Sequence, residues 1–256
     1  MLYPRIIPCL LLKKDSVFNT LNFHKLTYIG DPINSVRIFN EKKADEILIF
    51  DIDASIQNTE PNYNLISILA KETRMPINYG GGIKNIYQAS KIFHHGVEKI
   101  SLSSIIFNEF NLVSELVKIY GSQSITVTLD VKKNIKENIY DIYYYNGTVR
   151  SKEKLVNLIL KLEDAGIGEI IINNIDKDGT MRGLDLDLVD LVYNKIHLPL
   201  TVMGGAKNHE ELRNTFTNYK DISIAGSSIF LFKGRLNAVL LNYPSNEEKQ
   251  FIFSKI

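Results

Sequence analysis

Tryptophan is absent from this sequence, cysteine occurs once, and no apolar run is long enough to span a bilayer. The single thiol, Cys9, has no partner within the chain. No internal disulfide is therefore available, and a reducing, cytoplasmic setting is expected. An excess of one charge is also missing, since 30 Lys and Arg offset 29 Asp and Glu to leave a net +1. That balance removes the electrostatic footprint expected of a nucleic-acid binder or of a protein held on anionic lipid. The histidines, at positions 24, 94, 95, 197 and 209, show no ligand spacing with Cys9 or with carboxylates, so no metal and no cofactor is expected. The apolar stretch ending at Leu12 is short, is interrupted by Arg5 and is followed by Lys13, Lys14 and Asp15. It suits a first strand rather than a secretory signal.

What the sequence does contain is rhythm. Eight apolar, β-branched runs lie at 5–12, 46–52, 76–79, 99–103, 124–131, 169–174, 198–203 and 222–225. Most are continuous rather than alternating, as strands buried on both faces of a parallel sheet must be. Amphipathic helical stretches separate them, among them 32–43, 62–71, 86–93, 112–119, 152–165, 186–192 and 209–216. Strand–helix alternation repeated eight times over 256 residues predicts an α/β fold, a single (β/α)8 TIM barrel filling 1–256. An open doubly wound sheet is the structural alternative. The segment 134–149 breaks the rhythm. It is rich in Tyr and Asn with a turn signal at Asn146-Gly147, and predicts a β-hairpin inserted after the fifth strand.

The two halves of the chain match at their strand ends. Cys9-Leu10-Leu11-Leu12-Lys13 aligns with Thr128-Leu129-Asp130-Val131-Lys132, and Phe50-Asp51-Ile52-Asp53 with Ile175-Asp176-Lys177-Asp178. Gly81-Gly82-Ile83 aligns with Gly204-Gly205-Ala206, and Ser103-Ser104-Ile105 with Ser227-Ser228-Ile229. Four matches in one order, each about 120 residues apart, imply two half-barrels, about 1–120 and 121–256. Each half alone would leave open strand edges, so the two must pair to close the sheet.

These motifs fall at the C-terminal ends of strands, the rim where barrels carry their active sites. Glycines there let backbone N–H groups approach an anion. Gly82 with Ser103 and Ser104 would form one phosphate cradle. Asp178, Gly179, Gly205, Gly226 and Ser227 would form a second. Plain tight turns are the bland alternative. Two cradles on one rim imply a ligand with two phosphates. Asp51 and Asp176, related by the repeat, are expected at the barrel mouth. At the opposite end four strands begin with a charge, Arg5, Glu46, Lys99 and Glu169. That set cancels in sign and could plug the base.

Several blocks resemble the cyclase subunit of imidazole glycerol phosphate synthase. They include Arg5-Ile6-Ile7, Gly30-Asp31-Pro32, Asp51-Ile52-Asp53-Ala54-Ser55, Gly80-Gly81-Gly82-Ile83 and Ile175-Asp176-Lys177-Asp178-Gly179-Thr180, and the likeness covers nearly the whole chain. The resemblance implies a glutaminase partner on the barrel bottom. Its ammonia would pass a salt-bridged gate matching Arg5, Glu46, Lys99 and Glu169, then react at the top with a bisphosphate imidazole nucleotide or another phosphorylated small molecule. It also implies two aspartates as general acid and base. Asp130 matches one, whereas Leu11 stands at the other, and leucine moves no proton. Asn19 stands where the family carries a loop lysine, and Ser103 where it usually carries Asn.

Pro8-Cys9-Leu10-Leu11-Leu12-Lys13 and Gly30-Asp31-Pro32-Ile33-Asn34 are similar to a divergent branch found with surface-polysaccharide or flagellar sugar genes. That likeness implies ammonia for converting an N-acetyl group on a sugar into an acetamidino group, with a separate sugar amidotransferase as a further partner. Two alternatives stand beside it: a working histidine-pathway cyclase, and a non-catalytic conduit that activates a glutaminase.

Overall fold

A computed structural model describes residues 4–254. Eight parallel strands form the centre: β1 (Ile6–Lys13), β2 (Ile47–Asp51), β3 (Ile77–Gly80), β4 (Lys99–Leu102), β5 (Ile125–Asn134), β6 (Glu169–Asn174), β7 (Leu200–Met203) and β8 (Ser223–Gly226). Each pairs with the next, and β8 returns to β1 through Ile6–Ile224 and Pro8–Gly226, so the sheet closes into a barrel. Helices follow the strands in turn: α1 (Pro32–Glu41), α2 (Tyr63–Lys71), α3 (Ile86–His94), α4 (Asn111–Tyr120), α5 (Leu155–Asp164), α6 (Leu186–Tyr193), α7 (His209–Asn218) and α8 (Asn246–Phe253). No helix among the described residues is long and apolar enough to cross a membrane.

The continuous apolar runs are explained by the two cores they serve. Along β1, Ile6, Leu10 and Leu12 point outward into the large layer between strands and helices. Ile7, Cys9 and Leu11 point inward and pack with Leu48, Ile171, Met203 and Ala225 inside the barrel. Side chains alternate across a strand, so a strand covered on both sides can be apolar at successive positions. Polar caps fix where the helices begin. Asp31, Asn62, Asn85, Asp185, Asn208 and Ser245 each accept a hydrogen bond from the backbone N–H three residues on. Pro32 occupies the first helical position of α1, where its missing N–H costs nothing.

Two additions decorate the rim. The hairpin expected after the fifth strand is present, but it begins and ends later than the sequence suggests. Strand β5 itself runs to Asn134, Ile139–Tyr144 pairs antiparallel with it, and Val149–Lys154 pairs with that strand in turn. The turn lies at Tyr145-Asn146-Gly147, all with positive φ. Helix α5 consequently starts at Leu155 and not at Lys152. The second addition has no counterpart among the sequence expectations. Residues Ser16–Leu21 and Lys25–Gly30 form an antiparallel hairpin that extends β1 over the mouth. Both ornaments stand on the C-terminal rim and deepen that end, while at the opposite end the C-terminal segment packs on the strand starts, Tyr243 donating to the Ile6 carbonyl and Lys249 pairing with Asp45.

Candidate functional site

At the end opposite this rim the four charged strand starts meet. Arg5 pairs with Glu46, and its other guanidinium nitrogen lies 2.7 Å from Glu169 Oε1. Lys99 Nζ lies 2.8 Å from Glu46 Oε2 and 3.1 Å from Glu169 Oε2. The ring therefore alternates in sign all the way round. Burial works against the charge on Glu169, yet Arg5, Lys99 and a hydrogen bond from Thr201 together hold its carboxyl below the usual range. Burial likewise opposes the charge on Arg5, and Glu169 and Glu46 more than restore it. One acceptor, Glu46 Oε1, is buried without a partner.

Above the ring the barrel interior is two-sided. One wall is the apolar cluster of Ile7, Cys9, Leu11, Leu48, Ile171 and Met203. The other climbs through hydrogen-bonded polar pairs. Asn78 Nδ2 donates to Thr126 Oγ1 at 3.1 Å, Ser101 and Thr128 hydroxyls lie 2.7 Å apart, and Asn173 Nδ2 donates to Asp130 Oδ1 at 2.9 Å. A small neutral polar molecule moving up from the ring would have hydroxyl and amide partners along this wall.

The polar wall ends at a cavity of about 180 Å³ in the mouth. Asp130 and Asn173 sit at its base, with Leu11, Phe50 and Met203 beside them. Glycines 80–82, Ser103 and Ser104 line one side, so the expected first cradle faces this space. Ser104 Oγ also accepts the N–H of Tyr145, tying the late hairpin to the rim. Lys13 enters the cavity wall and pairs with Asp53 at 2.9 Å, leaving a cation beside the cradle. Burial pushes the Asp130 carboxyl up to about 7, against the hydrogen bond from Asn173 and with help from the charge on Asp178. A group titrating there can both give and take a proton near neutrality.

The second expected cradle is assembled but covered. Gly204, Gly205, Gly226, Ser227 and Ser228 surround a pocket of only about 10 Å³. The early hairpin closes on it. Asn19, at the position of the missing lysine, is buried and accepts from Ser228 Oγ at 2.9 Å. Thr20 donates to Asp178 at 2.5 Å, and Asn22 N donates to the Asp178 carbonyl at 3.0 Å. Burial raises the Asp178 carboxyl to about 6, offset in part by Thr20 and the Phe23 N–H. Asp178 thus fastens the hairpin to the second loop. The Ser227 hydroxyl is already given to the Cys9 carbonyl at 2.9 Å, so it is engaged within the protein. Gly205 has φ +95°, and a methyl there would lie 2.5 Å from the Gly183 carbonyl, so this close crossing of two loops needs glycine.

The two repeat-related aspartates separate. Asp51 lines the mouth cavity, its Oδ1 accepting the N–H groups of Asp53 and Ala54. Asp176 is exposed, is not part of the cavity lining, and accepts the Lys133 N–H instead. Burial, with Asp178 and Asp130 nearby, pushes the Cys9 thiol up, as suits an inert core residue. Asn173, Met203 and Thr20 escaped the sequence reading. The strands of Asn173 and Met203 were expected, but their inward direction shows only once the barrel register is fixed, and Thr20 lies on the unexpected early hairpin.

Comparison with known proteins gives a consistent set. The family model for histidine biosynthesis proteins matches residues 5–236. A provisionally named HisF subunit of imidazole glycerol phosphate synthase from Leptospira borgpetersenii is 43% identical over 253 residues, 99% of this chain and 100% of that protein. A similarly named protein of Vibrio vulnificus is 43% identical over 250 residues, 98% of this chain and 96% of its own length. The HisF subunit of Chlorobium limicola is 32% identical over 252 residues, 98% of this chain and 96% of that protein.

Proposed function

This chain belongs to the histidine-biosynthesis family of HisF subunits, and on that premise we propose that it is the ammonia-receiving synthase subunit of a glutamine amidotransferase complex. In this reading a HisH-type glutaminase docks on the strand-start end of a single domain built from two half-barrels. Ammonia then passes the ring of Arg5, Glu46, Lys99 and Glu169 and rises along the polar wall to Asp130. The observation that supports it is the alternating ring at one end of the barrel together with a mouth cavity at the other that is lined by Asp130 and by the glycines and serines of the first cradle.

The finer reading concerns the acceptor. Leu11 lies beside Asp130 in an apolar surround, so only one carboxylate is placed at the cavity base from the two expected strand ends. Ring-forming chemistry that needs an acid and a base loses about 10²–10⁴-fold without one of them. We therefore assign this chain to a divergent paralogue that supplies ammonia for amidination of an N-acetyl sugar, in concert with a separate sugar amidotransferase. The phosphorylated ligand of the mouth would serve as a control or an intermediate carrier.

The second reading, a true cyclase, is favoured by one feature: Asp130, titrating at about 7, can alternate between acid and base. One experiment separates the two. The phosphoribulosyl-formimino imidazole carboxamide nucleotide is supplied with ammonium salt at high pH. The paralogue reading expects no turnover, together with stimulation of a co-purified glutaminase. Turnover at the rate of an ordinary cyclase would overturn it in favour of the histidine-pathway enzyme. Failure to stimulate any glutaminase would overturn the complex itself.

A further inference from the structure

Behind the mouth lies a second space that the synthase reading does not use. It has a volume of about 170 Å³ and sits between the ends of β1, β2 and β3 and the start of α2. Asp51 forms part of the wall of both spaces. Four carboxylates line it, Asp15, Asp51, Asp53 and Glu60. Their hydrogen bonds are only partly made. Asp51 spends Oδ1 on two backbone N–H groups, and Asp15 spends Oδ1 on Asn62. Asp53 gives Oδ1 to Lys13, while its Oδ2 is buried with no partner.

An acidic cluster alone would say little, because carboxylates in water need no counterion in contact. Tyr79 supplies a separate observation. Its side chain is 2% exposed, it lines this space, and its hydroxyl makes no hydrogen bond among the described residues. A buried phenol normally finds a partner. The opposite wall is apolar, built by Leu12, Leu65 and Ile66. No group of carboxylates, histidines or cysteines among the described residues is arranged to hold a metal ion. Carboxylate and phenol oxygens at one end and apolar side chains at the other suit an occupant that is positively charged, carries N–H donors at one end and is apolar at the other.

We propose that this space is a binding site for a primary alkylammonium group of a small molecule, held by Asp53 Oδ2, Asp51 and the Tyr79 hydroxyl, with its carbon end against Leu12, Leu65 and Ile66. An –NH3+ group carries three donors, enough for those three acceptors. Charge-assisted bonds of this kind are the strong ones, and each depends on an N–H pointing at oxygen. The neighbouring Lys14 is exposed and makes no ion pair among the described residues, so the acids are not already neutralised from that side.

Calorimetric titration of the whole protein tests this. Ethylammonium, ammonium and tetramethylammonium chlorides are compared with sodium chloride at one ionic strength. Ethylammonium should bind saturably. Ammonium should bind several-fold more weakly for want of the carbon end, and tetramethylammonium, with charge but no N–H, should match sodium. Tyr79→Phe keeps the ring and its packing, and should weaken ethylammonium about ten-fold. Asp53→Asn should weaken it at least as much, with thermal melts showing both variants folded. Three results would overturn the assignment: no saturable binding, equal affinity for tetramethylammonium or ammonium, or affinity unchanged in both variants. Binding that emerges only in Lys14→Met would also overturn it, since the chain's own lysine would then be the occupant.

Discussion

At the scale of single residues the mouth is defined by what stands beside Asp130. Leu11 is 5% exposed and packed among Ile7, Cys9 and Met203, so no water-borne acid can readily take its place. Leu11→Asp should therefore raise ammonium-dependent turnover of the imidazole nucleotide by at least ten-fold over the parent. No gain in that assay would show that the deficit lies elsewhere in the site. Asp130 also carries a signature in stability. Its folded value of about 7 lies above the ordinary 3.8. The folded form thus keeps its proton more tightly than the unfolded chain. Its contribution is fully present below pH 4 and is lost as pH rises from about 4 to 7. Asp130→Asn should accordingly be more stable than the parent at pH 8, by up to ~4 kcal/mol, and no more stable at pH 4. Urea unfolding at the two pH values measures this. Asp130 was singled out in the sequence through the resemblance to the cyclase family, which implies an acid at the end of the fifth strand. Its partner Asn173 was not, because nothing in a run of buried β-strand residues tells which amide turns inward.

At the scale of elements the early hairpin decides access to the second cradle. It crosses the Ile175–Gly179 loop so tightly that a methyl on Gly179 would lie 1.9 Å from the Thr20 carbonyl, at φ +73°. Gly179→Ala should push the hairpin off its loop, with a loss of about 2–3 kcal/mol from strain and broken contacts. Hydrogen exchange should quicken over residues 16–30 and stay unchanged in β5 and β6. Equal protection in both proteins would refute the clamp. The eight barrel strands were legible because most are near-continuous apolar, β-branched runs, as strands of a covered parallel sheet are. The early hairpin was not, since its turns use Lys14, Asp15, Asn22 and Phe23 at positive φ, where turn signals usually come from Gly. The later hairpin was betrayed by Asn146-Gly147, and only its ends were misjudged. There the strand Val149–Lys154 is mostly exposed and carries no apolar alternation.

At the scale of the whole molecule, two ends of one tube are built for different charges, and the barrel holds them in register. Four residues far apart in sequence close the lower ring, so the ring exists only if the sheet does. The charge at each strand start was visible in the sequence. That they touch follows from closure, through Ile6–Ile224 and the seven other seams. The ring must remain neutral to be tolerated where Glu46 and Glu169 are only 2% and 4% exposed. Arg5→Met leaves Lys99 alone against two buried carboxylates. The expected cost is ~2–4 kcal/mol, reduced from that of a fully buried pair because the Arg5 side chain is itself 23% exposed. Glu46→Gln on top of Arg5→Met restores the balance of one positive and one negative charge. The double variant should therefore recover part of the loss, giving a favourable coupling of 1 kcal/mol or more in a urea-unfolding cycle, about the size seen for contacting charges. The deficit of Arg5→Met should also shrink as pH falls through the lowered Glu169 value, where protonation relieves the uncompensated charge. Strict additivity of the two substitutions at neutral pH would mean that the four groups do not act as one ring. The barrel would then have no electrostatic closure at the end where ammonia is proposed to enter.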